Sequence, residues 1–473
     1  MGTINSAFSL ISGALDADQS ALSIVANNVA NANTPGYTTE IPNWQENQPV
    51  TISGVAYGDG VTQTGATSLR DRVLEQRLDQ QQQLAASSGA RSTALNSVQA
   101  LFTPDSGAAS ATAGDIGSDI TGFFNSFSSL EADPANISLR DEVLSSATTL
   151  AGDISNAAAS LNAQRSAVDQ EASGVTSQVN SLSGEIAQLN QQIESTSPTG
   201  NAGVLEDQRQ QDLSQLSQLI GINQVQTENN GLSVTTTSGQ LLAGNGVSFP
   251  LTSGTVGGVT HFFVGTADVT TQLASGGGQL GGLLIARDQD IPSALNALNQ
   301  MAYNISTQVN AQNNAGTDLN GVTGTAANPL NIFSSPAAVA GSAAAMSVVM
   351  TDPSQIAAAA AGQGTGDNSN TTAMANLSNQ AIVGGQTPTD FYSSFVSTLG
   401  ATVSGVQADN TAQNASVTQL QTQNNALSGV NLNDEAAAMS TLQSSYQAAS
   451  QVFTMLNTIM AAALNLGDQT TVA

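Results

Sequence analysis

The chain has 473 residues, which is too long for a single hydrophobic core, so several domains are expected. Its formal net charge is −27 although only 9% of its residues are charged, and this negative excess excludes nucleic acid and anionic membranes as partners. The absence of cysteine excludes disulfides, thiol nucleophiles and cysteine metal sites, and the sequence indicates no cofactor and no metal.

An apolar stripe marks the first predicted helix, which covers about residues 4–32. Apolar side chains recur there at alternating spacings of three and four residues, the heptad pattern of helices that pack side by side. Residues 33–36 end the helix, because proline disfavours helix in the preceding residue and glycine permits a turn. The stripe consists of Ile4, Phe8, Ile11, Leu15, Leu22, Val25 and Val29, and only Asp18 interrupts it.

The middle of the chain alternates between helical and irregular character. A helix of roughly 55 residues, or roughly 80 Å, is predicted from residue 139. Turn sequences between β-type runs predict a small β domain over residues 222–270. The other predicted elements are short strands over 41–66, a helix over 68–102, a small-residue linker over 103–117, a helix over 203–220 that folds back on the long helix, helices over 279–314, 372–384 and 389–428, and an irregular segment over 318–370 with one strand near 346–350.

A second apolar stripe lies in the last predicted helix. Asn433 is its predicted N-cap, and Asp434 and Glu435 suit the positive end of the helix dipole. Because stripes at both ends bracket a polar chain, we interpret the chain as a subunit built to assemble. An intramolecular helix pair is the alternative interpretation, and both can hold. The second stripe consists of Met439, Leu442, Tyr446, Ala449, Phe453, Leu456, Met460 and Ala463.

Enzymatic chemistry has little support in the sequence. Residues 276–281 fit the glycine pattern of dinucleotide-binding loops, but such a site also needs a βαβ unit, so a flexible linker is the preferred interpretation. His261, the only histidine, has no second histidine or cysteine with which to complete a metal or catalytic site. We therefore predict that the chain is not an enzyme.

Both ends of the chain resemble one protein family. The run from Ala26 to Tyr37, which reads ANNVANANTPGY, resembles the N-terminal signature of bacterial flagellar rod, hook and hook-associated proteins. The run from Ser428 to Ala437 resembles the C-terminal signature of the hook-associated members, whereas hook and rod proteins end in a different pattern. Segments 205–222, 281–284 and 366–370 also resemble this family, so the resemblance covers almost the whole chain.

The resemblance implies a mainly α fold with inserted β structure, in which paired N- and C-terminal coiled-coil helices form an inner domain around a channel. Asn27, Asn28 and Asn31, from the N-terminal signature, join the two stripes as predicted assembly-interface residues. The implied division is 1–40 for the N-terminal helix of the inner domain, 41–221 for the first part of a helical rod domain, 222–278 for a β-rich outer domain, 279–317 for a rod helix, 318–370 for an irregular outer segment, 371–429 for further rod helices and 430–473 for the C-terminal helix of the inner domain.

The resemblance also implies a function, that of a structural adaptor ring at the hook–filament junction of the bacterial flagellum, needed for filament assembly. The expected partners are further copies of the chain, the flagellar hook protein, a second hook–filament junction protein and a cytoplasmic export chaperone at the C-terminal helix. Flagellar type III export needs no cleaved signal, and residues 1–30 lack the basic start and apolar run of a secretory signal. The expected location is therefore extracellular, in the flagellum.

Two alternative functions stay open at this point. The nearest is a hook or distal-rod structural protein, against which the run 428–435 and the long helix from residue 139 argue. The other is a secreted coiled-coil adhesin, which would not need the paired end motifs. Asn433 stands where the family usually carries an acidic residue, and the β insertion is small, so the layout of the outer domains is open.

Overall fold

Long α-helices dominate the chain in a computed structural model that describes residues 2–52, 54–103, 115–197 and 202–469. Among the described α-helices, Pro388 lies in a first turn, whereas Pro292 follows a π-helical turn at Ala286–Asp290 through which the chain stays helical. Among the described residues, none of the helices combines the length and the apolar character needed to cross a bilayer. The helices are α1 (Gly2–Asn31), α2 (Arg72–Ala100), α3 (Ile116–Ala132), α4 (Ile137–Thr196), α5 (Gly203–Leu219), α6 (Thr270–Gly276), α7 (Gly278–Ile285), α8 (Ile291–Ala315), α9 (Ser369–Asn376), α10 (Pro388–Ser428) and α11 (Leu432–Gln469).

Short antiparallel strands complete the mainly α fold. The strands are β1 (Glu40–Glu46), β2 (Val50–Ile52), β3 (Val55–Tyr57), β4 (Val61–Ser68), β5 (Ile222–Gln226), β6 (Leu232–Thr236), β7 (Leu241–Gly244), β8 (Val247–Ser248), β9 (Leu251–Val256), β10 (Val259–Val264), β11 (Ala267–Asp268), β12 (Gly316–Thr317) and β13 (Ala359–Ala360). β1 pairs with β4 and β2 with β3, which confirms strands over 41–66. Strands β5 to β8 form a four-stranded sheet and β9 to β11 a three-stranded sheet, so the β character predicted for 222–270 is confirmed.

The chain divides into two compact units. The first comprises Met1–Ala85, Thr176–Gln272 and Gln413–Ala473, and the second comprises Ala86–Val175 and Leu273–Ala412. Because α2, α4 and α10 are continuous, each of them supplies residues to both units.

In the first unit, α5 folds back on the end of α4, as the sequence predicted. Leu189 and Ile193 of α4 form a small apolar cluster with Ala202, and Leu205 of α5 packs against it. The connection between the two helices includes residues 198–201, which lie outside the described residues.

Two asparagines of α4 attach the strands of this unit. Asn180 donates from Nδ2 to the Leu251 oxygen at 2.8 Å, and its Oδ1 accepts from the Leu251 nitrogen at 2.7 Å. Asn190, which is fully buried, donates from Nδ2 to the Leu232 oxygen at 2.6 Å. A side-chain amide carries the same donor and acceptor as a peptide group, so it pairs with a strand end that has no neighbouring strand.

In the second unit, α3 buries an aromatic cluster that the sequence analysis missed. Phe123 lies within ring-centroid distances of 5.1, 5.3 and 5.4 Å of Phe124, Phe127 and Phe333. The predicted linker over 103–117 ends where α3 begins, and residues 104–114 of it lie outside the described residues. The apolar positions of α3 recur at helical spacing and mark it as a core helix.

The irregular segment 318–370 is held by asparagines on α8. Asn310 exchanges two hydrogen bonds with the backbone of Phe333, at 2.9 and 3.0 Å. Asn313 donates to the Leu330 oxygen at 2.6 Å and accepts from the Ala357 nitrogen at 2.9 Å. The strand predicted near 346–350 is wrong, because Val348 forms only a single bridge, to Phe333.

Two predicted helix boundaries also differ from the structure. Asn431, not Asn433, caps α11, because its Oδ1 accepts from the Asn433 nitrogen at 3.1 Å and the helix begins at Leu432. The helix predicted over 372–384 is shorter, since α9 ends in a 3₁₀ turn at Leu377–Asn379.

The glycine run at 276–281 is not a flexible linker, so that prediction is wrong. Gly277 and Gly278 adopt φ angles of 91° and 72°, and α7 begins at Gly278. The next glycines allow close helix packing: a Cβ on Gly282 would lie 2.1 Å from the backbone oxygen of Ser87 in α2. The run therefore seats α7 against α2 within the second unit.

We expect Gly282→Ala to destabilise the second unit by about 1–3 kcal/mol, because the added methyl overlaps backbone that cannot move aside. Gly152→Ala in α4 is the matched control, since its Cβ would meet nothing within 4 Å. That control should gain about 0.5–1 kcal/mol by favouring the helix. Urea unfolding followed by circular dichroism measures both changes, and equal midpoints for the two variants would contradict the packing argument.

Candidate functional site: the terminal helix pair

The two terminal helices, α1 and α11, lie side by side in the first unit. Their predicted stripes face each other, and Phe8 of α1 contacts Phe453 of α11 with ring centroids 4.5 Å apart and planes tilted by 39°. Tilted aromatic pairs of this kind add to the free energy of area burial. The intramolecular pair that the sequence left open is therefore present in the single chain.

The seam between α1 and α11 is only half-buried. The half-buried predicted residues are Phe8, Ile11, Leu15, Leu22, Met439, Leu442, Phe453, Leu456 and Met460. Of the predicted stripe residues, Val25 is buried, at 4% exposed, and Tyr446 is exposed, at 38%. The side chain of Ile4 lies outside the described residues. Interior α4 residues such as Leu161 and Ile186 are 0% exposed. Two helices alone thus leave apolar surface of the seam in contact with water.

A further apolar face of α11 is exposed. Val452, Met455 and Ile459 are 42%, 64% and 46% exposed. Their spacings of three and four residues place them on one side of the helix, away from the stripe that faces α1. The sequence analysis missed this open face because it followed one heptad line, although the same spacing rule could have found it. We refer to these three residues as the open face.

Asn28 fastens the base of the helix pair. It is 1% exposed, and its Nδ2 donates to the Glu40 oxygen at 2.9 Å and to Oε1 of Glu435 at 3.0 Å. Its Oδ1 accepts from the Glu40 nitrogen at 3.0 Å and from the Tyr37 hydroxyl at 2.8 Å. Every donor and acceptor of this amide is used, and the bond to Glu435 ties the end of α1 to the first turn of α11. We call this group the asparagine latch.

The three asparagines of the N-terminal signature have different surroundings. Only Asn28 belongs to the latch. Asn27 is exposed and Asn31 is half-buried, and Asn31 Nδ2 donates to Oδ1 of Asn27 at 2.9 Å. Sequence analysis grouped the three because the motif contains them all, and helical spacing separates Asn28 from the other two.

Charged groups surround the latch. Burial, followed by the nearby carboxylates of Glu40, Asp207 and Glu435, raises the pKa of Tyr37 to about 12, so its hydroxyl stays a donor to Asn28. Asp207 of α5 accepts from the Thr38 nitrogen at 3.2 Å and from the Thr38 hydroxyl. The segment after α1 is therefore fixed to α5 through Asp207 and to α1 through Asn28.

Across the described ranges, no set of three or more His, Asp or Glu side chains could hold a metal ion. His261 lies in β10, where its Nδ1 is 2.6 Å from Oδ2 of Asp268. Hydrogen bonds from the Thr270 hydroxyl and amide, and from His261, lower the pKa of Asp268 to about 2. The pair therefore joins neighbouring strands on a partly exposed surface.

Comparison with known proteins finds two matching family profiles and several relatives. The profile described as "Flagellar hook-associated protein FlgK helical domain" matches residues 105–327, and that described as "Flagella basal body rod protein" matches residues 11–38. Flagellar hook-associated protein 1 of Escherichia coli (strain K12) is 24% identical, over 96% of this chain and 98% of the relative. The same-named protein of Bacillus subtilis (strain 168) is 26% identical, over 96% of each chain.

A solved structure has the same fold. The flagellar hook junction protein FlgK from Burkholderia pseudomallei has a TM-score of 0.64 at 19% identity, over 74% of this chain and 99% of that one. The relatives and the helical-domain profile indicate a structural protein of the bacterial flagellum, and the rod-protein profile over residues 11–38 agrees with this. Within that class, the helical-domain profile and the relatives point to the hook-associated proteins. The chain is similar to flagellar hook-associated protein 1 over nearly its whole length.

We expect Asn28→Ala to loosen the helix pair by about 1–3 kcal/mol, since it removes the side-chain oxygen that accepts hydrogen bonds from the buried Glu40 amide and the Tyr37 hydroxyl. Amide hydrogen exchange in the first turn of α11 should accelerate while the second unit is unchanged. Asn27→Ala is the matched control, because Asn27 lies beside Asn28 but is exposed. Equal exchange rates in the two variants would show that the latch does not hold α11.

Proposed function

We propose that the chain is a structural adaptor at the hook–filament junction of the bacterial flagellum, where copies of it form a ring needed for filament assembly. The terminal helix pair carries this proposal, because its seam stays half-buried and its open face is exposed although both are apolar. The relatives named flagellar hook-associated protein 1, which match 96% of the chain, support it.

Hydrophobic burial supplies the driving force for assembly. Enclosing one large apolar side chain contributes about 1.5–3 kcal/mol. Val452, Met455 and Ile459 on the open face, together with the exposed part of the seam, can gain this free energy only against other molecules. We infer that the helix pair of one subunit packs against the helix pairs of its neighbours and forms an inner domain from residues 1–40 and 430–473.

The predicted interface residues divide into two roles in this proposal. Seam residues such as Leu15 and Leu456 retain exposed area that neighbours cover, and Asn27 contacts the neighbours directly. Asn28 acts through the latch, because it is enclosed within the subunit. It sets the position of α11 relative to α1 and so fixes the shape of the surface offered to the next subunit.

The further partners follow from the place of the ring in the flagellum. We propose the hook protein on one side and a second hook–filament junction protein on the other. Export runs through the flagellar type III apparatus without a cleaved signal, so the final location is extracellular. A cytoplasmic export chaperone covers α11 beforehand, because an exposed apolar helix face promotes aggregation.

The alternatives agree less well with the observations. A structural role for the family implies that the chain is not an enzyme, and its relatives carry the name of a hook-associated protein. A hook or distal-rod protein would not account for the helical-domain profile over 105–327. A coiled-coil adhesin would not account for relatives that match both ends of the chain.

We expect Met455→Asp to abolish motility without changing the thermal melt of the monomer. Met455 is 64% exposed, so a charge there is solvated in the monomer but would be enclosed in the assembled ring, which is costly. Leu456→Asp should abolish motility too and should also weaken the helix pair, because Leu456 is half-buried against α1. Ser444→Asp, at an exposed polar position of the same helix, is the control and should swim. Swimming cells with Met455→Asp would disprove assembly through the open face.

Removing residues 430–473 should block filament assembly without unfolding the second unit. That unit has its own core, including the aromatic cluster around Phe123. Cells carrying the truncated chain should build hooks and release flagellin into the medium, as seen by electron microscopy and immunoblotting. Circular dichroism of the purified chain should retain most of its helical signal, and filaments on such cells would refute the proposed role of α11.

A further inference from the structure

Three of the eight arginines converge on one cavity in the first unit. The cavity has a volume of about 250 Å³ and is lined by Arg70 just before α2, by Arg72 and Glu75 in its first turn, by Arg209 of α5 and by Asn230 in the turn before β6. Such a concentration of positive charge stands out in a chain with 35 acidic residues. We refer to this space as the arginine cavity.

Arg209 is buried there without a carboxylate partner among the described residues. It is 6% exposed, and its Nη1 donates to Oδ1 of Asn190 at 2.8 Å and to the Asn230 oxygen at 2.7 Å. Both acceptors are neutral. Its Nε and Nη2 donate to no described residue, and neither atom is sealed from solvent. A buried charge of this kind is costly unless an opposite charge compensates it.

The positive charges of the other two arginines, Arg70 and Arg72, are only partly compensated by nearby carboxylates. Arg70 pairs with Asp207 and, at 3.7 Å, with Glu75, yet its Nε is buried with no acceptor. Burial raises the pKa of Glu75 to about 7, so its negative charge is only partial at neutral pH. Arg72 lies at the rim, with its side chain 43% exposed, and contacts Glu206 at 3.3 Å.

Arg209 is also affected by its like-charged neighbours. Burial lowers the pKa of Arg209 to about 10; the carboxylates of Glu206 and Glu75 oppose this shift, and the positive charges of Arg70 and Arg72 add to it. The three guanidinium groups are therefore close enough to repel one another across the cavity. An anion between them would remove this repulsion and accept the free hydrogen bonds of Arg209.

We propose that the arginine cavity binds a small oxyanion of the phosphate or sulfate class, with Arg209 and Arg72 as its hydrogen-bond donors. The planar fork of a guanidinium group matches two oxygens of such an anion, and these bonds are stronger than neutral ones. The bound anion would connect the start of α2, α5 and the turn at Asn230. It would stabilise the first unit independently of the assembly function of the terminal helices.

Calorimetric titration of the full-length chain with inorganic phosphate tests the proposal. One phosphate should bind per chain, and phosphate at about ten times its Kd should raise the melting temperature by about 3 °C relative to chloride at equal ionic strength. Matched ionic strength removes the screening effect of salt on surface charges. Absence of both the binding heat and the temperature shift, for phosphate and for sulfate, would overturn the proposal.

Three variants locate the site. Arg209→Gln should abolish phosphate binding, and Arg72→Gln should weaken it about tenfold through loss of a charge-assisted bond. Arg72→Gln carries the test if Arg209→Gln fails to fold, because an exposed ion pair contributes little to stability. Arg77→Gln, an exposed position of α2 outside the cavity, should bind like the parent chain. Equal weakening by Arg77→Gln, or binding of acetate but neither phosphate nor sulfate, would overturn the proposal.

Discussion

Two α-helices packed side by side bury only the surfaces that they turn toward each other. This constraint governs α1 and α11, whose apolar stripes are half-buried, and it accounts for the open face of α11. A third and a fourth helix must pack against the pair before the seam is buried as completely as a core residue. The single chain therefore carries apolar surface that it cannot satisfy itself, and the proposed ring is the arrangement that would supply the missing helices.

A second constraint is the scarcity of large side chains, since aromatic residues make up only 4% of the chain. Irregular segments are attached instead by single asparagines. Asn28, Asn180 and Asn310 each donate to and accept from the backbone of one residue, namely Glu40, Leu251 and Phe333. Each amide repeats the two hydrogen bonds that an antiparallel neighbour strand would make. Hydrogen bonds from the helices thereby fix the non-helical segments without the need for large buried side chains.

Long periodic elements were predictable from the sequence and local chemistry was less so. The 3-4 spacing located α4, α1 and α11 because periodicity accumulates over many turns. Asn433 was assigned as the cap of α11 from residue type alone, although Asn431 is equally suited and lies before the first helical residue. The glycines at 276–281 suggested flexibility, whereas the close approach of Ser87, distant in the chain, shows that they serve packing.

The structure of the asparagine latch depends on the intact side-chain amide of Asn28. Hydrolysis of the Asn28 amide would replace a group that donates two hydrogen bonds by a carboxylate facing Glu435. The following residue, Val29, is β-branched and hinders the cyclisation that starts such hydrolysis, whereas Asn245 and Asn320 precede glycine in turns. Ageing of the molecule should therefore begin in its turns, and the contact that joins its two ends should be among the last to be altered.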